Sequence, residues 1–344
     1  PGYQLSSLNM SSVVAALRAT LEAPDSSEGL KQAAAARLAQ LAHGGVGAAD
    51  PRRWWGLADW THSGREVRPS GEPLRISGSS WSQLDRCSLA WFLQHEAQAT
   101  TPGTTATAFG SVIHELADAV TRGDLPPDSQ VLTEQLASVW PALSFEADWQ
   151  QADEFSEARD AIARFLQWST TRTDQRVIGS ELRFDTTVQI PGDTVRVTGS
   201  VDRLEADSNG QLHIFDLKTQ RVAETGANLE SNRQLALYQL AANSGAFDDV
   251  LAEEGSSATA QTSSGSPIVD DASLVLLRIE DRDTGLPKVQ RQAAIDSEAL
   301  KAELAEAVAV VRNEEFVPTK NRYCDFCDFR TVCPLRKESG EVAQ

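Results

Sequence analysis

The stretch GSVDRLEADSNGQLHIFDLKTQ, residues 199–220, constrains the fold more than any other part of the chain. Aliphatic residues alternate with polar ones on both sides of Asn209-Gly210, the pattern of a β-hairpin. Asp202 falls on one arm and Asp216 on the other, with Lys218 two residues beyond. Side chains alternate faces along a strand, so Asp216 and Lys218 share a face. The turn decides whether Asp202 joins them. A two-residue Asn209-Gly210 turn sets Asp202 opposite Leu217 and points it away. A three-residue loop of Ser208, Asn209 and Gly210, with Gly210 left-handed, sets Asp202 opposite Asp216. We expect the second register. The flanking HIF and Leu217 make this arm read as buried, where an unpaired charge is costly, so the trio points to a site.

Two carboxylates and an ammonium suit phosphodiester hydrolysis. Carboxylates can hold Mg²⁺ or Mn²⁺ beside a phosphate, and a lysine can orient or help deprotonate the attacking water and offset developing charge. We expect Asp216 and Lys218 at the surface of a cleft, where replacing either would lower rate far more than stability. Two helical stretches add polar groups. His114 lies four residues after Gly110 in FGSVIHELAD, and Gln234 and Tyr238, four apart in RQLALYQLA, share a helical face.

The chain has 344 residues, 41% of them apolar, with eight Trp, enough for a sizeable core. No apolar run approaches the roughly 18 residues of a membrane span, and an intracellular protein is expected. The 31 basic and 49 acidic residues leave a formal charge of −18, which argues against a nucleic-acid partner unless a basic groove sits on an acidic body. Residues 1–73 hold helical patterns and an irregular tract, read as the tail of a preceding domain plus a linker, and residues 74–344 as a second domain. The first residue is Pro1 and the chain holds one Met, so a piece of a longer polypeptide is expected. From Leu74 a helix is expected with Ser80 and Gln83 as a capping box and Leu84, Leu89, Trp91 and Phe92 on one buried side. Further helices, β-rich sequence over 176–218, a later hairpin and a last helix follow. Residues 253–267, rich in Ser, Thr and Gly, read as a surface insertion.

Three of the four cysteines form C-x2-C-x5-C at Cys324, Cys327 and Cys333, and Cys87 lies far upstream. Four thiolates can bind Zn²⁺ tetrahedrally or a [4Fe-4S] cluster, and their spacing does not choose. Two disulfides are disfavoured in a reducing compartment. Residues 318–337 carry five basic residues, Lys320, Arg322, Arg330, Arg336 and Lys337, against two acidic ones. With Tyr323, Phe326 and Phe329 interleaved, this segment either touches DNA or forms core aromatics with a solvated rim.

The order G-x-x-x-H, G-x-x-D-R, D-x-K, Q-x-x-x-Y over about residues 74–337 resembles the RecB-like branch of the PD-(D/E)xK nuclease superfamily. The resemblance implies an α/β fold, a central mixed β-sheet flanked by helices. It implies His114, Asp202 and Asp216 as ligands of Mg²⁺ or Mn²⁺, Lys218 as catalytic, Gln234 and Tyr238 as positioning DNA, and Glu181 in GSELRF as a further acidic ligand. It also selects iron. AddB-type subunits, AdnA and AdnB subunits and some CRISPR-associated exonucleases carry one upstream and three C-terminal cysteines around a [4Fe-4S] cluster. Ser88 departs from the proline that many members have after the first cysteine. The implied function is a metal-dependent nuclease acting on unwound single-stranded DNA in the bacterial cytoplasm, at the nucleoid. It would be the C-terminal part of an AdnA/AdnB-type helicase-nuclease subunit that resects double-strand breaks in recombinational repair. Such a subunit has a partner subunit and carries ATP-dependent helicase activity elsewhere in the parent chain. Two alternatives stand beside it. One is a catalytically inactive iron-sulfur scaffold that binds DNA, which would be expected to lose the Asp202, Asp216, Lys218 set. The other is a stand-alone CRISPR-associated-type exonuclease, which has no evident use for the 73-residue leader.

Overall fold

The computed structural model describes residues 9–54, 64–99, 105–143, 145, 147–253 and 269–336. The expected surface insertion lies almost wholly outside them, as does Lys337. The chain divides into two compact units, residues 1–65 and 66–344. In the first, α1 (Met10–Glu22) and α2 (Glu28–His43) bury Val14, Leu38 and Ala49 together. Asn9 and Ser27 cap these helices with side-chain oxygens.

The second unit runs β1 (Leu74–Ile76), α3 (Gly78–Arg86), α4 (Ser88–His95), α5 (Thr105–Arg122), α6 (Ser129–Val139), α7 (Asp148–Thr170) and β2 (Arg176–Ile190). It continues with β3 (Asp193–Ala206), β4 (Leu212–Lys218), α8 (Gly226–Glu230), α9 (Arg233–Asn243), α10 (Asp248–Glu253), β5 (Val269–Glu280), β6 (Pro287–Ala293) and α11 (Ser297–Arg312). This is the expected α/β fold, a mixed six-stranded sheet between helices, with β1 parallel to β3 and β4 parallel to β5. On one face α5, α6 and α7 bury Phe109, Ile113, Leu136 and Phe165 against Phe215 and Val275. On the other, Trp81, Leu235, Leu240 and Leu304 pack on Leu204 and Ile214. Strand alternation explains the division, since Phe215 and Leu217 point one way and Leu212 and Ile214 the other.

One edge of β3 is shared, and this splits the sheet. β2 takes the other edge over nearly its whole length, while β1 pairs with Val195–Val197 and β4 with Arg203–Ala206. Thr198 to Asp202 therefore have no ladder partner on the shared edge.

The expected first helix is instead two. Cys87, with φ −167° and ψ 105°, is extended and ends α3 before α4 begins. The cap also lies three residues earlier than expected, at Ser77, whose Oγ accepts from Ser80 N–H. Ser80 is buried and its Oγ accepts from Trp91 Nε1 at 2.7 Å, so it joins the two helices rather than starting one.

The end of α11 fastens the entry of the chain into this unit. Arg312 donates to the carbonyls of Arg68, Pro69 and Glu72 at 2.9, 2.6 and 2.7 Å, and its Nε donates to Asp193 at 2.8 Å. Ser88 makes a second fastening: its Oγ lies 3.0 Å from the carbonyls of Glu315 and Val317 and accepts from Val317 N–H at 2.9 Å. A proline could not make these bonds.

Candidate active site

The hairpin takes the expected register. Arg203 pairs with Phe215 and Ala206 with Leu212, and one further step places Asp202 opposite Asp216. Gly210 closes the loop at φ 79°, a left-handed value that favours glycine. Asp207 Oδ1 accepts from the N–H of Asn209 and of Gln211, both at 2.8 Å, and fixes the turn.

Beyond Arg203 the two strands part. Asp202 Oδ2 there accepts from Leu217 N–H at 2.6 Å, replacing a ladder bond. Its Oδ1 lies 3.4 Å from His114 Nδ1, and Glu181 Oε1 lies 3.7 Å from the same nitrogen. His114, Glu181 and Asp202 each present a ligand atom within 4.8 Å of the others and line a cleft of about 730 Å³. α5 brings His114 close because Gly110 lets it approach the end of β4; a methyl group there would lie 3.2 Å from Thr219 Oγ1.

Glu181 stands in the cleft by an unusual route. Ser180 and Leu182 pair with Arg203 and Val201, while Glu181 leaves the ladder at φ 47°. A non-glycine residue held there stores strain of order 1–3 kcal/mol, which recurs at functional sites. Its Oε2 accepts from Ser200 Oγ at 3.1 Å.

Asp216 faces the opposite helix layer. Its Oδ1 accepts from Gln234 Nε2 at 2.9 Å and lies 3.4 Å from Tyr238 Oη, and Oδ2 lies 2.7 Å from Lys218 Nζ. Lys218 Nζ also donates to Gln234 Oε1 at 3.1 Å, and Gln234 Nε2 lies 2.6 Å from Tyr238 Oη. Gln234 and Tyr238 thus turn inward onto the acid and the lysine. The split in the sheet lets His114 from one layer and Gln234 from the other serve the same pair of aspartates. An unbroken sheet would separate them.

One expectation is corrected. Asp216 is 1% exposed, so the carboxylate lies beneath the surface and not at it, while Lys218 keeps 29% of its side chain in solvent. Asp216 points into the layer covered by α9, and Tyr238 closes over it.

The charges answer to this burial. Burial raises the Asp216 pKa against the pull of Lys218. Burial works to discharge Lys218, but Asp216 more than offsets it and keeps the ammonium protonated. Partial burial works to discharge His114, yet hydrogen bonds to Asp202 and Glu181 raise it to about 10. His114 in turn holds Glu181 below the usual carboxylate range. Burial, with Asp216 nearby, raises Tyr238 and keeps it a neutral donor. Without a cation His114 therefore carries a proton between the two carboxylates.

Asp118 was not singled out from the sequence. It is 7% exposed, lines the cleft, and accepts from Ser180 Oγ at 2.5 Å. The signal was available, since Asp118 follows His114 by four residues on one helical face.

The four cysteines come together elsewhere. Cys87, Cys324, Cys327 and Cys333 all line one cavity of about 380 Å³. Tyr323 is 43% and Phe326 85% exposed, so these aromatics are surface rather than core. Arg86 and Arg322 lie 4.6 and 4.8 Å from the Tyr323 ring.

The model of the PD-(D/E)XK nuclease superfamily matches residues 75–334, and the chain belongs to that superfamily of metal-dependent nucleases. No curated protein matches it. The solved crystal structure of SSO0001 is similar at 15% identity and a TM-score of 0.34, over 77% of this chain and 88% of that one. Among the described residues no helix is long and apolar enough to cross a membrane.

Proposed function

We propose that the chain is a Mg²⁺- or Mn²⁺-dependent deoxyribonuclease that cuts unwound single-stranded DNA. The observation that carries this reading is the meeting of His114, Glu181 and Asp202 at the split in the sheet, beside the buried Asp216–Lys218 pair. Three ligands of N and O type suit a hard divalent cation, and Asp216 stands outside this trio, held by Lys218, Gln234 and Tyr238. A cation bound there would polarise the phosphate and acidify a water. To ligate a cation His114 would have to be neutral, its proton passing to solvent. Lys218, held as an ammonium by Asp216, donates to phosphate oxygen and offsets developing charge. Gln234 fixes the lysine and the aspartate relative to each other, and Tyr238 shields the aspartate from water. DNA reaches the cleft as backbone phosphates, which a partner subunit and motor domains would deliver despite the acidic body.

Four thiols around one cavity fit a [4Fe-4S] cluster held by Cys87, Cys324, Cys327 and Cys333. The same four thiols could also hold a tetrahedral zinc, and the arrangement of one upstream and three C-terminal cysteines, through the resemblance it carries, favours the larger cluster. It would cross-link the beginning of the nuclease unit to its end. The exposed Tyr323 and Phe326 beside Arg86 and Arg322 suit stacking on bases. With residues 1–73 as the tail of a motor domain plus a linker, the chain reads as part of an AdnA/AdnB-type helicase-nuclease subunit for break resection and recombinational repair, located at the bacterial nucleoid.

The test is cleavage of end-labelled single-stranded DNA with Mg²⁺ or Mn²⁺. The parent should cut. Lys218→Ala should lose cleavage by about a hundredfold or more while binding DNA and Mn²⁺ nearly as the parent does. Parental cleavage by Lys218→Ala would remove the lysine from catalysis, and a parent that binds DNA without cutting would establish the scaffold reading.

A further inference from the structure

Helix α3 touches both centres. Its first residue, Gly78, is buried against α9, and a methyl group on Gly78 would lie 2.5 Å from the Cα of Gln234 and 3.0 Å from its Cβ. That overlap is with backbone and cannot be relieved by a rotamer change. Gly78 is not left-handed, so no turn requires glycine here, and helix propensity favours alanine by up to about 1 kcal/mol. What requires glycine at this position is the approach of Gln234. Farther along α3, Arg233 of α9 donates to Asp85 at 2.7 Å, and its guanidinium lies 4.5 Å above the Trp81 ring. The last residue, Arg86, offers its carbonyl to Asn321 Nδ2 at 3.1 Å, and Cys87 follows at the wall of the cysteine cavity. At 1.5 Å per residue α3 spans about 13 Å between the two.

We propose that α3 is a rigid strut through which the cysteine cavity holds Gln234 in register with Asp216 and Lys218, and that Gly78 is a positioning residue at its contact point. Gln234 binds both members of the pair at about 3 Å, and a shift of a few tenths of an ångström in α9 loosens both bonds. The ends of the strut are anchored differently. At Gly78 the contact is steric and sensitive to one carbon atom, while at Cys87 it is covalent once the thiols are ligated. A cavity emptied of its ligand frees Cys87 and lets α3 slide against α9. The inference rests on the functional reading of both centres given above.

The test uses the full chain with four substitutions, the last of them a control. Gly78→Ala should lower kcat on single-stranded DNA about tenfold, with KM and Mn²⁺ affinity within twofold of the parent, because His114, Glu181 and Asp202 lie off α9. A structural defect alone would reduce the active fraction without faster amide exchange confined to residues 233–240, which the strut predicts. Asp85→Asn removes the α3–α9 ion pair without adding bulk and should lower kcat about threefold with the same exchange signature; it decides the matter if Gly78→Ala does not fold. Cys87→Ser, measured by exchange alone, should quicken residues 233–240 relative to the parent holding its cofactor. Gly226→Ala, with nothing within 4 Å of the added carbon, should cut at the parental rate. Parental kcat in folded Gly78→Ala, or unchanged exchange over 233–240 in Cys87→Ser, overturns the strut. A parent that does not cut DNA overturns the proposed activity and leaves the exchange arms to judge the strut.

Discussion

Replacing Asp216 by alanine should unfold this protein more readily as well as silence it. The carboxylate is 1% exposed and holds Lys218, Gln234 and Tyr238. Its removal leaves an ammonium and two dipoles facing a void. Breaking a buried ion pair by deleting one partner costs about 3–5 kcal/mol, and because Lys218 keeps 29% of its side chain in solvent we take the lower end, about 3 kcal/mol. For a unit of this size each kcal/mol moves Tm by about 2 °C, so Asp216→Ala should melt about 6 °C below the parent. The companion is Asp216→Ala with Lys218→Met, which removes both charges. It should regain at least about half of the loss, giving a coupling energy of about 1.5 kcal/mol or more. Circular dichroism melts in EDTA at pH 7 measure stability apart from metal binding. An Asp216→Ala variant within about 2 °C of the parent, or a double variant as unstable as the sum of the singles, would refute the picture of a buried, mutually dependent pair.

Glu181→Gly relieves a left-handed residue, so it should be neutral or stabilising by up to about 1 kcal/mol while weakening Mn²⁺ binding at least about tenfold, as read by melting and by calorimetry. His114 gives a pH test. Its folded pKa near 10 exceeds the unfolded value, so its contribution to the metal-free protein is fully present below about pH 6.5 and is lost as pH rises towards 10. The parent should lose more Tm than His114→Gln over that window, and Mn²⁺ affinity should rise over it because the ligand must be neutral. Anaerobically purified protein should be brown, and Ser in place of any one of Cys87, Cys324, Cys327 or Cys333 should bleach it and lower Tm; stoichiometric zinc in colourless protein would refute the cluster.

The hairpin register was legible in the sequence because one glycine in a three-residue loop fixes it, and the sheet amplifies that choice to the position of both aspartates. The helices of α5, α9 and α11 were legible for a similar reason, since their caps and apolar spacing are local. Burial of the Asp216–Lys218 pair was not, because strand alternation gives a face without saying which helix covers it. Nor was the left-handed Glu181, whose conformation is imposed by neighbours on β3 against the preference of its own type. The break at Cys87 stayed hidden in a continuous helical pattern, Ser77 to His95, for want of a proline or glycine to mark it. The cysteine spacing left the metal open, and only the shared cavity brings Cys87 to the other three.

The grip of Arg312 has a practical corollary for anyone wishing to move this nuclease into another polypeptide. A transplant begun at Leu74, where the first strand starts, would discard the carbonyls of Arg68, Pro69 and Glu72 and leave the guanidinium with Asp193 alone. Val67, whose N–H donates to Glu314 at 2.7 Å, would go with them. The eight residues 66–73 carry no helix or strand and look dispensable on paper. They are the hem of the fabric, and the shortest portable unit starts at Glu66.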